Sequence, residues 1–391
     1  VTKADFTARL CGPAASIGAD AWNACANPQG LASPHPFMRH EFFVAAEESG
    51  SACAEQGWQP CHLAIERDGR IHGLMPLYLK HHSQGEYVFD QGWAQALERA
   101  GGDYYPKLQA CVPFTPVTGN RFLVAPNADA AAMREALLAA GASAVKQLRA
   151  SSLHITFPTE EEWRAAGTNG YLLRTDQQFH WHNRGYKNFD EFLAELSSAK
   201  RKNLRKERAA VREADVEFDW LTGDEITETH WDSFFSFYMD TGSRKWGHPY
   251  LTREFFSRIG QGMADQVLLV LARREGRHIA GALNFFGDGV LFGRNWGAVE
   301  YVPFLHFETC YYQAIEFAIA RGLSKVEAGA QGEHKLLRGY LPAQTYSAHY
   351  IAHPGLRRAV ADYLVREREA VAEQIEMLAE HAPFRKIANT E

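Results

Sequence analysis

LAIERDGRIHGLMPLYL at residues 63–79 and VLARREGRHIAGALNFF at residues 270–286 share one plan. Each is an apolar strand, a charged turn ending in Gly-Arg, and a second apolar strand. Gly69 and Gly276 stand where a tight hairpin needs a positive φ. A further strand and a Tyr-Pro signature follow each hairpin. The signature is Asp103-Tyr104-Tyr105-Pro106-Lys107-Leu108 in the first half and Glu300-Tyr301-Val302-Pro303-Phe304-Leu305 in the second. The two matches keep the same order, which predicts duplication of one α/β unit.

Outward from the second hairpin the pattern is easiest to read. A helix is expected over 189–213 with Asp190 as N-cap, then a strand over 216–221. Helices follow over 226–240 and 251–260, and strands over 267–273, 278–286 and 289–296. A helix over 306–321 ends at Gly322, a left-handed C-cap. Strands over 324–328 and 345–351 and a helix over 355–380 complete the unit. The expected fold class is α/β with mixed sheets. The boundary falls near Arg184-Gly185, giving domains 1–185 and 186–391, with a ligand cleft expected at their interface.

The whole chain fits this reading. Its 391 residues favour two domains. It is 46% hydrophobic and 23% charged, as a soluble globular protein is, which excludes a disordered or fibrous chain. No apolar run approaches the roughly 18 residues of a membrane span. The VTKADFTARL start lacks the apolar core of a secretory signal, so a cytoplasmic protein is expected. A net charge of −6 argues against DNA or general nucleic-acid binding. The six cysteines form no C-x-x-C pair and read as free thiols.

Basic residues are nonetheless concentrated in SSAKRKNLRKERAAVREA at 197–214. Arg201, Arg205, Arg208 and Arg212 recur at helical spacing, flanked by Lys200, Lys202 and Lys206. Forked guanidinium donors in a stripe suit phosphate or carboxylate. A solvated face paired with Glu195, Glu207 and Glu213 is the alternative. A second cluster, EAGAQGEHKLLRGYLP at 327–342, places Lys335 and Arg338 three apart, so both could face one anion if the turn is helical. Gly329 and Gly332 would let a ligand approach the backbone there.

In LFGRNWGAVEYVPFLHFETCYYQAIEFAIARGL (291–323), Phe307, Tyr311, Ala314, Ile315 and Ala318 form an apolar stripe, read as core. Glu308 and Tyr312 lie on a neighbouring face. His306 and Glu308, two apart on a helix, point apart and make no chelating pair. Arg294 and Trp296 could line a cleft at a strand end. Tyr105 and Lys107, beside Pro106, Pro113 and Pro116, suggest a groove wall for an extended substrate. There is no G-x-G-x-x-G or Walker loop, no G-x-S-x-G elbow and no H-E-x-x-H. His180 and His182 alone do not make a zinc site, and no structural metal is expected.

Four strings, GEYVFD…YYPKLQACVPFTPVTG, SSAKRKNLRKER, LHFETCYYQAIE and EAGAQGEHKLLRGYLP, resemble the FemAB-like family of the GNAT superfamily, bacterial peptidoglycan biosynthesis/recognition proteins. The resemblance runs from about Pro36 to the C-terminal helix. It implies two tandem GNAT-like domains of the acyl-CoA N-acyltransferase type in a Fem-like arrangement. It also implies acyl or aminoacyl transfer to an amine, and Fem-type relatives use aminoacyl-tRNA and a lipid- or nucleotide-linked muropeptide. Two departures stand out. Only Arg294-Asn295-Trp296-Gly297 resembles the start of the GNAT pyrophosphate loop, and Glu300-Tyr301 stands where the loop would continue. The long helical arm of tRNA-using enzymes is not evident.

The expectation is therefore an acyltransferase acting on a cell-wall precursor, with acyl-CoA or aminoacyl-tRNA as donor and no tightly bound cofactor. Lys335 and Arg338 would neutralise phosphate or a developing oxyanion. Glu308 would be the base and Tyr312 a proton relay. Arg201, Arg205, Lys206, Arg294, Trp296, Tyr105 and Lys107 would bind substrate. Lys335, Arg338 and at least two of Arg201, Arg205 and Lys206 should converge on one cleft. The alternative is a non-catalytic module that recognises a peptidoglycan precursor or another phosphate-bearing ligand through the interdomain cleft.

Overall fold

The structure is a computed structural model and describes residues 6–245, 249–329 and 332–385. It forms two compact units, each assembled from separated stretches of chain. The first comprises the chain through Asp176 with Tyr250–Arg258 and Thr345–Ala372. The second comprises Gln177–Pro249, Ile259–Gln344 and the chain from Glu373 onward. This partition differs from a single boundary at 185/186. The reason is in the backbone ladder: Ser347–Ile351 pairs antiparallel with Ser152–Thr156, which ties this late stretch to the first unit.

In the second unit the sheet order is Glu217–Thr222, Val267–Arg274, Arg277–Gly287, Val290–Ala298, Lys325–Glu327 and the Gln177–His182 end of a longer strand. The first four strands run antiparallel. Val290–Ala298 and Lys325–Glu327 are parallel, and the helix Gln313–Ala320 crosses between them. Phe192, Leu196 and Leu204 close the core against Leu268, Val270 and Ile315. The helix expected over 189–213 is two helices, Phe189–Glu195 and Ser198–Glu213. Leu196 breaks it in an extended conformation and is itself buried in the core. Its N-cap is Asn188, whose side chain accepts from the Glu191 amide, rather than Asp190.

The first unit carries the same hairpin. Arg67 opposes Arg70 and Arg274 opposes Arg277, so both turns have two residues. Asp68-Gly69 and Glu275-Gly276 all have positive φ, the type I′ turn that suits strand twist. Both hairpins also slip register at corresponding places, Ile65/Glu66 and Ala272/Arg273. The long strand Arg277–Gly287 has two counterparts in the first unit, Arg70–Met75 and Tyr78–Lys80. Pro76, which has no ladder donor, lies at the break. Lys107–Ala110 and Ser152–Thr156 are the first unit's parallel pair, with the helix Ala130–Gln147 between them. The Tyr-Pro signature does not share this correspondence. It precedes Lys107–Ala110 in one unit and follows Val290–Ala298 in the other. No helix among the described residues is long and apolar enough to cross a membrane.

Candidate functional site

The parallel pairing of Val290–Ala298 with Lys325–Glu327 stops at Phe292 and Glu327. Beyond that point the two strands part. Opposite this end, Asn284 pairs Gly293 and Leu283 pairs Asn295, so Arg294 is the extra residue of a β-bulge. The opening holds a small pocket of about 100 Å³. Arg294, Asn295 and Trp296 line one side, Ala328 another, and His306, Cys310 and Tyr311 come from the helical segment after the strand. That segment opens with a π-helical turn over Glu308–Tyr312.

One cation, Arg294, lines this notch, and a second, Lys335, lies near it behind Ala328. The Arg294 side chain is 5% exposed, and its Nη2 lies 3.7 Å from Glu327 Oε2. Glu327 is buried, and burial alone would raise its carboxyl pKa. His180, Lys325 and Arg294 together hold it below the usual carboxylate range. Lys325 Nζ donates to its Oε1 at 2.8 Å. His180 is kept neutral, its pKa depressed to about 4 by burial, with only partial compensation from Glu327. Lys335 is also buried, and its Nζ donates to the carbonyls of Ala328 (2.6 Å) and Gly329 (3.2 Å). Burial lowers its pKa to about 8, and nearby Arg294 pushes it the same way.

Arg338 does not join Lys335. The 333–338 turn is helical as supposed, and a 3₁₀ turn stacks residues three apart, yet Lys335 and Arg338 reach different partners. Arg338 Nη2 donates to Glu207 Oε1 at 2.7 Å, Nε to the Tyr312 hydroxyl at 3.1 Å, and the guanidinium lies 3.4 Å from the Phe307 ring centroid. Tyr312 is fully buried and donates to Glu207. Burial drives its phenol pKa upward. Glu308 is buried and accepts from Arg208 on both oxygens, at 2.8 and 3.0 Å, and from Gln313 at 2.8 Å. Arg208 also bonds Glu316. Glu308 is thus engaged in an ion-paired network and does not line the pocket.

The basic helix therefore packs against the Lys335 turn, but carboxylates, not a shared anion, supply the countercharge. The convergence expected of Arg201, Arg205 and Lys206 is not seen. Arg205 and Lys206 are exposed, Arg205 reaching Asp190 at 3.5 Å, and Arg201 donates to the Ala194 carbonyl at 3.4 Å. Ala330, Gln331 and the Glu333 side chain lie outside the described residues.

In the first unit Lys107 lines no groove. It is buried between Glu86 (2.6 Å) and Asp90 (2.5 Å). Tyr105 is half-buried, and its hydroxyl lies 2.8 Å from Ser83 Oγ. At the end of this unit's parallel pair a buried arginine fills the corresponding place. Arg121 donates to the carbonyls of Thr156 (2.8 Å), Gly119 (2.9 Å) and Val117 (2.6 Å).

Sequence reasoning found Arg294, Trp296 and Lys335 but passed over Asn284, Cys310 and the Ala328 carbonyl. Asn284 had a signal, a lone amide inside the apolar run AGALNFF. Cys310 and Ala328 had none, because a bulge and a π-turn place them.

One family matches the sequence over residues 14–386, described as FemAB-like, peptidoglycan biosynthesis/recognition. The chain belongs to the FemAB-like family. Among solved structures, FemX is similar at a TM-score of 0.53 and 12% identity, over 87% of this chain and 98% of that one. L-PGS from Bacillus licheniformis is similar at 0.50 and 10%, over 90% and 98%. A tandem GNAT protein from the clavulanic acid biosynthesis pathway aligns at 0.48 and 10%, over 90% and 99%. At these identities the likeness to FemX and L-PGS establishes the fold of this FemAB-like chain. No curated protein matches its sequence significantly.

Proposed function

We propose that the second unit is an N-acyltransferase centre that passes an acyl or aminoacyl group to an amine on a cell-wall precursor. The notch carries this reading. An acyl carbonyl seated there would place its oxygen toward Arg294 and Lys335, cations suited to the oxyanion that forms when an amine attacks. Lys335 spends two N–H groups on carbonyls and keeps one for a ligand. Backbone of 293–296, released from the neighbouring strand, is suited to pairing with an extended donor.

The family description supports the cell-wall acceptor. Exposed Lys202, Arg205 and Lys206 support a phosphate-bearing substrate. The donor choice rests on Glu300-Tyr301, which stands after the notch strand where a pyrophosphate loop would continue, with Glu300 held by Arg277 at 3.1 Å and Arg274 at 3.8 Å. That departure supports an aminoacyl ester such as aminoacyl-tRNA over acyl-CoA.

The test is a panel of acyl-CoAs, aminoacyl-tRNA mimics and nucleotide-linked muropeptides, read by thermal shift and by transfer of labelled acyl group. An aminoacyl donor should raise the melting temperature, and Arg294→Ala should lose the rise. Binding with no transfer for any pair would make the chain a recognition module. No response to any member would remove both readings.

A further inference from the structure

We infer that Glu327 is a positioning residue for transfer: from the root of the notch its carboxylate aims the Arg294 guanidinium at the acyl oxygen. This rests on the acyltransferase reading of the second unit. Glu327 is the last residue of its strand to pair with the notch strand, opposite Phe292. The next residue, Ala328, already lines the pocket.

The two oxygens of this carboxylate have different surroundings. Oε1 accepts from Lys325 Nζ at 2.8 Å and stands 3.9 Å from Nε2 of His180, its partner in the strand on the other side. Oε2 is buried, accepts no hydrogen bond among the described residues, and faces Arg294 Nη2 at 3.7 Å. With Oε1 anchored, the carboxylate keeps Oε2 toward the guanidinium.

That spacing separates this pair from the structural pairs of the same unit. Arg208 meets Glu308 at 2.8 Å and Arg338 meets Glu207 at 2.7 Å, the lengths of charge-assisted hydrogen bonds. The Glu327 and Arg294 side chains are only 2% and 5% exposed, yet they stand about 1 Å further apart. Attraction acts strongly at that distance in a buried site, whereas a hydrogen bond does not form. Glu327 therefore directs Arg294 by charge.

The notch gives this a use. Arg294 is the extra residue of a bulge, so regular cross-strand pairing does not set its direction. The Ala328 carbonyl holds Lys335, so two consecutive residues, Glu327 and Ala328, each place one cation. When an amine attacks the acyl carbon, the carbonyl oxygen gains charge, and a guanidinium already aimed at it stabilises that charge without reorganising. Misplacement by about 1 Å can cost about 10²-fold in rate.

The test measures transfer by the full chain from a short RNA bearing a 3′-alanyl ester to a nucleotide-linked muropeptide. Glu327→Gln should lower kcat about 10²-fold and leave KM nearly unchanged. Added to Arg294→Ala, it should cost nothing more. Millimolar guanidinium should restore transfer to Arg294→Ala but not to the double variant, a readout that a merely structural role would not move. Glu327→Asp keeps the charge for Lys325 and draws it back from Arg294 by one methylene. It decides the matter if Glu327→Gln does not fold: lowered kcat is expected, and wild-type kcat overturns the inference. Wild-type kcat in Glu327→Gln or in Arg294→Ala, an equal loss in both backgrounds, or equal rescue of the single and double variants also overturns it. Each of these leaves the acyltransferase reading intact. A wild type that transfers nothing overturns both.

Discussion

Lys335 holds its ammonium against two backbone carbonyls in a buried site, and its pKa of about 8 sets a pH limit. The side chain is charged below about 8 and neutral above it, because burial has lowered the pKa of a base. Transfer that uses this charge should fall as pH rises through that value. Lys335→Arg should move the fall upward, and Lys335→Ala should lower kcat by about 10²–10³, as removal of an oxyanion donor does. A wild-type profile flat through pH 8 would deny Lys335 this role. Glu308 makes the opposite case. Its oxygens are engaged by Arg208 and Gln313, so Glu308→Ala removes one of the two carboxylates that hold Arg208 and should cost about 1.5–3 kcal/mol in urea unfolding. Lost transfer with an unchanged urea midpoint would instead make Glu308 a base. Both residues were visible in the sequence as charged groups near apolar stripes. Their opposite uses were not, because Arg208 lies far from Glu308 in the chain and only folding brings them together.

Among the elements, the notch strand Val290–Ala298 depends on one glycine. A Cβ at Gly297 would lie 2.2 Å from the backbone carbon and oxygen of Phe237, on the helix Glu228–Lys245. Backbone cannot swing aside as a side chain can. Gly297→Ala should therefore force strand and helix apart, costing about 1–3 kcal/mol by overpacking. It should also lower transfer, because Trp296 and Arg294 sit on the same strand. Thermal melts and a transfer assay on the variant check both effects; a wild-type melt would show that the helix yields without cost. Most strands and helices of this unit were legible from apolar runs and turn residues. The break at Leu196 was not, because its side chain fits the helical stripe and leaves it only to fill the core.

For the molecule as a whole, the first unit carries an acid-sensitive core. His154 and His349 are fully buried, with Nδ1 atoms 2.7 Å apart, so one ring donates and the other accepts. Ser152 and Ser347 satisfy their Nε2 atoms at 2.8 and 3.0 Å. Burial holds both rings neutral, far below the ordinary histidine range. The unfolded chain binds more protons, so stability is full above about pH 6.5 and is lost as pH falls below it. The urea midpoint should drop between pH 7.5 and 5.5, and His349→Gln should flatten that drop. An equal slope in both proteins would rule the pair out as its source.

The sequence by itself determined the duplicated hairpin and the mixed α/β class, and its resemblance to the FemAB-like family implied the tandem GNAT-like fold. Turn geometry and strand periodicity are local, and a glycine needing positive φ is legible where it stands. It also marked Arg294, Trp296 and Lys335 as candidates. Only the tertiary structure decided that Arg338, Tyr312 and Glu308 belong to ion-paired packing, and that Lys107 is buried between two carboxylates. The reason is physical. A charged side chain reads the same in a sequence whether it meets solvent, ligand or a distant carboxylate, and burial with its partner is settled when strands take their register.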